Sequence, residues 1–153
     1  MGRIYNLKIL LVTSIYPPDI GGPSTYVPKL ALDLVSKGFN VSIITLGIKS
    51  EKLMERGIKI IRIKRKYPLL FRVLVTVIYI TLELKHSDAV FSNGLFVETA
   101  IAIKLRKFKR SVVKIVGDPV WERARNTGAT KLTLTEFYSL KLKGRKYLFR
   151  KIY

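Results

Sequence analysis

Along this chain, strongly apolar segments alternate with segments whose apolar residues recur at helical spacing. Residues 7–13 (LKILLVT) and 41–46 (VSIITL) are dominated by apolar side chains, as are strands of a parallel sheet covered by helices on both faces. Between them, apolar residues at i, i+3, i+4, i+7 and i+8 predict one buried helix face; they are Val27, Leu30, Ala31, Leu34 and Val35. This strand–helix–strand unit is right-handed in nearly all known cases.

The same alternation continues to residue 118. The predicted elements are a polar connector at 48–57, a strand at 58–64, a helix at about 68–84, a strand at 88–94, a helix at about 95–107 and a buried strand at 112–118. The strand at 58–64 alternates apolar with basic residues, which favours a half-exposed face near a sheet edge. The helix at about 95–107 is expected to bury Val97, Ala100, Ile101 and Leu105.

Strands that alternate with helices indicate an α/β fold, which we expect to form a single domain over residues 1–153. We predict a doubly wound, Rossmann-like domain with a mostly parallel sheet of about five strands and helices on both faces. Ser24 or Thr25 is a candidate N-cap of the first helix. Thr133 or Thr135 is a candidate N-cap of a last helix, and Glu136 follows Thr133 at the spacing of a capping box.

Two adjacent glycines, Gly21 and Gly22, stand between the first strand and the first helix. Backbone without a side chain lets a ligand approach closely, and a helix start supplies unpaired N–H groups that suit phosphate or another anion. Ser24 belongs to the same candidate site. The segment matches neither the dinucleotide fingerprint nor the P-loop motif, so it does not indicate those two enzyme classes.

Three loops follow predicted strands and are expected to meet at the carboxyl edge of the sheet, where ligands of such folds bind. They comprise residues 19–24, 92–94 and 117–122. In the second loop, Asn93 and Gly94 can contact a polar ligand or can simply form a turn. All three loops have the alternative interpretation of ordinary tight turns between strand and helix.

The segment at 117–125 (GDPVWERAR) carries candidate chemistry. Asp118 can accept a proton from a substrate hydroxyl or bind sugar hydroxyls, and Trp121 offers a flat apolar face for a sugar or lipid. Glu122 lies one helical turn after Asp118 if the segment is helical. In the alternative interpretation, Asp118 caps a helix, Glu122 pairs with Arg125, and Trp121 belongs to the core.

The charge of the chain is extreme, with 29 Lys and Arg against 10 Asp and Glu and a net charge of +19. This charge indicates an anionic membrane, an anionic substrate or nucleic acid as partner, or only a habit of composition. Nucleic acid is the least favoured partner because no motif of nucleic-acid-binding proteins is present. The chain has no cysteine, which excludes disulfides and thiolate chemistry. The single histidine, His86, is expected to be structural, so no metal site is predicted.

The most apolar segment is residues 67–84, whose uninterrupted apolar run extends only from Val73 to Leu82. That run is short for a bilayer span. We interpret the segment as a helix buried against the sheet. A helix lying in the membrane interface, beside the basic residues 64–66, and a transmembrane helix are the alternatives. The first residues of the chain lack the pattern of a signal peptide.

In combination, these motifs resemble the N-terminal domain of family-4 glycosyltransferases with the GT-B architecture. The first part of the resemblance is Tyr16-Pro17-Pro18 followed by Gly21-Gly22, a helix that ends in Ser36-Lys37-Gly38, and the strand NVSIIT. The later segment VVKIVGDPVWERAR is similar to a subgroup of those enzymes with a Gly-Asp and a Trp-Glu pair after the corresponding strand. The resemblance covers nearly the whole chain.

The resemblance implies two Rossmann-like domains that face each other across a cleft. This chain would be the acceptor-binding half, acting on a glycan or lipid-linked acceptor, and a nucleotide sugar would be the donor substrate, with no metal or other cofactor. The chain ends at Tyr153, before any donor domain, and lacks the paired-glutamate motif of the family. The chain would then be a truncated gene product, an excised domain, or one half of a two-chain enzyme whose partner is a separate donor-domain chain. By itself it is expected to bind weakly and to transfer no sugar.

The resemblance also assigns roles to single residues. Gly21 and Gly22, with Ser24, would lie near the donor phosphates. Asp118 and Glu122 would be the catalytic candidates, and the substrate cleft would be lined by Tyr16, Asn93, Gly94 and Trp121. The expected location is the cytoplasm, with peripheral contact at the anionic inner face of the cell membrane. The alternative function is a non-catalytic α/β module that binds an anionic membrane surface or a polyanion.

Overall fold

A computed structural model describes residues 7–114, 119–126 and 128–139 of the chain. The chain divides into two compact units, residues 1–114 and residues 115–153, here called the first unit and the second unit. The described residues of the first unit form a six-stranded sheet. Its strands are β1 (Lys8–Thr13), β2 (Asn40–Gly47), β3 (Glu51–Glu55), β4 (Ile58–Lys64), β5 (Ala89–Asn93) and β6 (Ser111–Val113).

The spatial order of the strands is β3-β4-β2-β1-β5-β6, and neighbouring strands are parallel except for the antiparallel pair of β3 and β4. The chain builds outward from β1 in one direction through β2 and β4. It then returns to the other side of β1 through β5 and β6. The fold is therefore an α/β, Rossmann-like fold, as predicted, and its topological switch point lies between β1 and β5.

Three helices cover the two faces of this sheet: α1 (Gly22–Ser36), α2 (Leu69–Leu84) and α3 (Phe96–Arg106). Successive side chains of a strand point to opposite faces, and the core divides accordingly. Leu11 and Ile43 pack with Val27 of α1. Leu10 and Val12 belong to a second cluster with α2 and α3 residues, of which Ile80 is fully buried.

The prediction of a polar connector at 48–57 is wrong, because this segment contains strand β3. A tight turn joins β3 to β4, and both of its central residues have positive φ, 49° at Arg56 and 78° at Gly57. Turns of that kind match the twist of two antiparallel strands. Strand β3 occupies the sheet edge next to β4, so β4 is the second strand from the edge.

The predicted burial of α3 is also wrong. Its buried residues are Glu98, Thr99 and Ala102, whereas Val97 is 65% exposed and Leu105 is 65% exposed. The Thr99 hydroxyl donates to the Leu95 carbonyl at 2.8 Å, which satisfies its polar atom inside the fold. The apolar spacing thus correctly predicts a helix here. The side of the helix that packs inward, however, carries Thr99, whose hydroxyl is hydrogen-bonded, and the small Ala102.

Strand β6 lies at the other sheet edge. The strand prediction at 112–118 is confirmed at Ser111–Val113, and residues 115–118 lie outside the described residues. The predicted burial is wrong, because Val112 is 60% exposed and Val113 is 45% exposed. An edge strand has a neighbour on one side only, so more of its surface stays accessible.

Two short helices, α4 (Pro119–Asn126) and α5 (Leu134–Ser139), lie in the second unit. Among the residues of this unit that the structure describes, Ala124 and Phe137 are buried and apolar, and Trp121, Ala129 and Leu132 pack against them. The predicted capping box at α5 is confirmed: the Thr133 amide donates to a Glu136 carboxylate oxygen at 2.8 Å, and the Glu136 amide donates to the Thr133 hydroxyl at 3.4 Å. The Thr133 amide and hydroxyl also hold the pKa of Glu136 below its ordinary value.

Candidate functional site

The loops that follow β1 and β5 touch each other at the carboxyl edge of the sheet. Gly94, directly after β5, has a φ of +140°, and a Cβ atom built on it would lie 2.7 Å from the Ser14 amide nitrogen. Only glycine tolerates both that backbone conformation and that distance. Gly94 therefore brings the β5 loop against the β1 loop at the topological switch point.

The turn after β5 is held by its own side chains. The Ser92 hydroxyl donates to the Gly94 carbonyl at 2.7 Å and is buried. Asn93 is 5% exposed, and Leu95 has a left-handed backbone with a φ of 52°. Ser92 thus acts in turn formation, whereas Asn93 and Gly94 lie directly beside the β1 loop.

The start of α1 differs from the prediction. The N-cap is Gly21, which provides no side-chain hydrogen bond, and the helix begins at Gly22. The predicted caps Ser24 and Thr25 are therefore wrong, since both lie inside the helix. The Ser24 hydroxyl donates instead to the Asp19 carbonyl at 2.5 Å and ties the loop to the helix.

The two glycines have different surroundings. A Cβ atom on Gly21, where φ is +152°, would lie 2.6 Å from Cδ1 of Ile15, whereas a Cβ atom on Gly22 would meet no atom within 4 Å. Pro23 has no amide hydrogen, so Gly22 and Ser24 carry the first-turn N–H groups that lack intrahelical acceptors. The first turn also contains no acidic residue. Gly22 therefore borders open space at the positive end of α1.

A cation from the end of β6 lies beside the same helix. Lys114 directly follows β6, and its Nζ lies 3.6 Å from the centroid of the Tyr26 ring. The Tyr26 ring lies 6.3 Å from the Phe91 ring of β5. Sequence reasoning missed Lys114 because no local pattern relates the end of β6 to α1. The sheet order brings them together.

Two arginines hold the β1 loop. Arg62 of β4 donates to the Pro17 carbonyl at 2.8 Å and to a Glu51 carboxylate oxygen at 2.8 Å. Arg65, directly after β4, forms an ion pair with Asp19. The loop is thus attached to the neighbouring strands by charged hydrogen bonds, which are stronger than neutral ones. It is a shaped wall of the site rather than a free segment.

A pocket of about 210 Å³ lies between this loop and the ends of β2 and β4. Polar and charged groups face an apolar wall there; the lining includes Tyr16, Pro17, Gly47, Lys49, Glu51 and Arg62. Hydrogen bonds from Lys49 and Arg62 hold the pKa of Glu51 below its ordinary value. Glu51 was not predicted, because strand β3, which places it here, has no clear apolar alternation in the sequence. The basic alternation at 58–64 was the signal that could have indicated Arg62.

The structure brings some of the predicted site residues together and separates others. Gly94 and Gly21 lie against the consecutive loop residues Ser14 and Ile15 respectively, so these two glycines are at one edge of the sheet. Tyr16 is only 7% exposed and packs in the core on the α1 side. Tyr16 also contributes to the lining of the 210 Å³ pocket. Asp118 lies outside the described residues.

Trp121 and Glu122 belong to the second unit. The Trp121 indole donates to the Leu132 carbonyl at 3.0 Å, and the Arg125 guanidinium lies 5.1 Å from the centroid of its ring. Trp121 also packs against the small apolar cluster of that unit. Glu122 is exposed. Half-buried Trp121 thus contributes to the local core, while its ring also has a cation at one face.

The opposite, amino edge of the sheet carries a larger pocket of about 430 Å³. His86 lines it together with Lys8, Lys59 and Glu83. Lys59 and Glu83 form an ion pair at 2.6 Å. His86 therefore lies at the edge opposite the candidate site. Within the described ranges, no three His, Asp or Glu side chains gather in a way that could hold a metal ion.

Burial of Tyr16 has a consequence at alkaline pH. Burial and the nearby Glu55 carboxylate raise the pKa of Tyr16 above its ordinary value of 10.0. The folded state therefore favours the neutral phenol, and the stability that this provides is lost as the pH rises from 10 through the raised pKa. We expect the alkaline absorbance titrations of the wild type and Tyr16→Phe to differ by one group that titrates above pH 10.

The other seven of the eight tyrosines provide the internal reference for that titration. The group that titrates in the wild type but not in Tyr16→Phe is the Tyr16 phenol. If its pKa were 10.0 or lower, Tyr16 would be solvated in the folded protein.

Comparison of the sequence with models of known protein families and with curated proteins finds no match. Function is therefore inferred from the site itself. Gly22 borders open space at the start of α1, arginines hold the adjacent loop, and Lys114 contributes a cation.

Proposed function

We propose that this chain is the acceptor-side half of a GT-B glycosyltransferase. In that reaction, an acceptor hydroxyl attacks the anomeric carbon of a nucleotide sugar. The new glycosidic bond forms, the bond to the diphosphate breaks, and a carboxylate takes the proton of the hydroxyl. The donor nucleotide would be bound mainly by a second domain, on the other side of the cleft.

The observation that carries the proposal is the open space at Gly22. The first-turn N–H groups of α1 and the adjacent Lys114 suit a diphosphate, because both supply positive charge to the same edge. The loop that borders this space is held in shape by Arg62 and Arg65. A preformed site costs less conformational entropy on binding than a loop that must be ordered.

The acceptor would lie along the same edge, beside Asn93 and the pocket bounded by Pro17 and Arg62. The mixture of backbone, guanidinium and carboxylate groups there suits the hydroxyl groups of a sugar, which both donate and accept hydrogen bonds. Asp118 and Glu122, which belong to the second unit, are the proposed carboxylates of the reaction, from the chemistry of their segment and from the resemblance.

The test of this proposal uses Gly22→Leu in the full chain. No atom lies within 4 Å of a Cβ at this position, so a side chain added there starts in open space, in the region proposed for the ligand. This half by itself is expected to bind uridine and guanosine diphosphate sugars weakly, through their diphosphate. In saturation-transfer NMR or calorimetry, Gly22→Leu should weaken that binding at least tenfold, which is about 1.4 kcal/mol.

Ser36→Leu is the matched control, because it introduces the same side chain at the exposed C-terminal end of the same helix. It should bind as the wild type does. The proposal fails if the wild type binds no nucleotide sugar or lipid-linked glycan, or if Gly22→Leu binds as tightly as Ser36→Leu.

A further inference from the structure

Helix α2 exposes only large apolar side chains. Its exposed residues are Leu69 (53%), Leu70 (84%), Phe71 (50%), Leu74 (56%), Ile78 (48%) and Leu82 (56%). Four of them, Leu70, Leu74, Ile78 and Leu82, recur at a spacing of four residues and form one stripe along the helix. The opposite stripe, with Val77, Ile80 and Leu84, is buried against the sheet. The helix is thus apolar toward the core and toward the outside.

Helix α3 continues this outer surface. It covers the same side of the sheet as α2, since Ala102 belongs to the cluster that α2 buries. Its outward stripe consists of Val97 (65% exposed), Ile101 (40%) and Leu105 (65%). We call the exposed apolar side chains of the two helices the α2–α3 face. Contiguous apolar surface of this kind is rare on monomeric proteins and marks an interaction site.

The charged residues around the α2–α3 face are basic. Exposed Lys64 and Lys66 precede α2, and exposed Lys85 follows it. Further exposed cations lie within and after the last turn of α3: Lys104, Arg106, Lys107, Lys109 and Arg110.

Neither helix offers an exposed carboxylate to balance this charge. Glu98 is 8% exposed, and Glu83 is paired with Lys59 at 2.6 Å. An apolar stripe flanked by uncompensated cations is the surface that binds an anionic lipid interface.

We propose that the α2–α3 face docks on the surface of an anionic lipid bilayer, with both helices lying in the plane of the membrane. The apolar stripes would enter the boundary between headgroups and acyl chains, and the cations at the helix ends would contact the headgroups. A helix of 16 residues extends for about 24 Å, so the contact would be broad and shallow. In the part of the chain that the structure describes, no helix is long and apolar enough to cross a membrane.

A second copy of the chain fits this face less well. Symmetric pairing would bring the same cations of the two copies against each other without a facing carboxylate, and like charges at short distance repel. An anionic lipid surface neutralises them and releases counterions. The basic residues around the α2–α3 face therefore favour binding to an anionic bilayer over binding to a second copy of the chain.

The test compares binding of the full chain to sedimenting vesicles of phosphatidylcholine with and without phosphatidylglycerol. We expect phosphatidylglycerol to raise the partition coefficient at least tenfold at low salt, and high salt to reverse most of that gain. The variant Leu74→Glu/Leu105→Glu should lower binding to the mixed vesicles at least tenfold, because two embedded apolar side chains become charged.

The control variant is Met54→Glu/Leu32→Glu, which makes the same change of charge at exposed apolar positions of β3 and α1. It should bind within about twofold of the wild type, since these positions lie outside the face. Circular dichroism should show both variants folded, because all four replaced side chains are exposed.

Two outcomes would overturn the proposal. Equal vesicle binding by the two double variants would show that charge alone, from elsewhere in the chain, drives the contact. The other outcome is that the wild type does not bind vesicles but forms a dimer in sedimentation equilibrium. If Leu74→Glu/Leu105→Glu abolished that dimer, the face would bind a second copy of the chain.

Discussion

Replacing Gly94 by alanine is expected to lower the free energy of unfolding of the first unit by about 3 kcal/mol. The φ of +140° at this position disfavours any side chain, and the new Cβ would lie 2.7 Å from the Ser14 amide nitrogen and 2.9 Å from its hydroxyl oxygen. Backbone cannot move aside as a flexible side chain can, so the β1 and β5 loops must separate. Thermal unfolding followed by circular dichroism should show a midpoint roughly 10 °C lower.

The control for that measurement is Gly22→Ala, since the Cβ added there meets no atom within 4 Å. Alanine in a helix is more stable than glycine by about 1 kcal/mol, so this variant should be as stable as the wild type or slightly more so. If Gly94→Ala unfolded at the same temperature as Gly22→Ala, the contact between the two loops would not exist in solution.

Truncating Ile80 to alanine is expected to destabilise the first unit by about 2–5 kcal/mol. Ile80 is fully buried and packs among the apolar residues that join α2 to the sheet. Removal of its outer carbons leaves a cavity in close-packed surroundings, which costs both the transfer free energy and the lost contacts. Urea denaturation should report the loss as a lower midpoint with an unchanged slope.

Ile78→Ala makes the same chemical change two residues earlier on the same helix, at a side chain that is 48% exposed. It should cost less than about 1 kcal/mol in solution. Equal destabilisation by the two variants would mean that the outer side of α2 is covered by protein, and it would contradict the proposed α2–α3 face as well.

The proposed glycosyltransferase site and the proposed membrane-binding face both involve the carboxyl edge of the sheet. Helices α2 and α3 follow β4 and β5 directly, so both begin at the edge where Gly22 and Gly94 lie. If the α2–α3 face lies on a bilayer, that edge is close to the headgroups. A lipid-linked acceptor would then present its sugar beside the candidate site, and both proposals would have to hold for this arrangement to occur.

The candidate site was only partly predictable. Gly21, Gly22 and Gly94 stand in sequence where strand ends and helix starts can be recognised, so their gathering at one edge followed from the parallel topology. Arg62, Glu51 and Lys114 were missed because their partners are distant in the chain. Glu51 required strand β3, and Lys114 required β6 to be placed next to β5.

Apart from β3, sequence alone determined the order of the elements in the first unit, because periodicity is a local property that distinguishes strand from helix wherever an apolar face must be buried. It predicted β1, α1, β2, β4, α2, β5 and α3 close to their observed bounds. Only the tertiary structure decided which apolar residues are inside. In α3, Val97 and Leu105 have helical spacing but face outward, while Thr99 and Ala102 face the core. The spacing of apolar residues shows that a segment is helical. Which side of the helix is buried depends on which side chains fit against the neighbouring elements and can form hydrogen bonds with their polar atoms there.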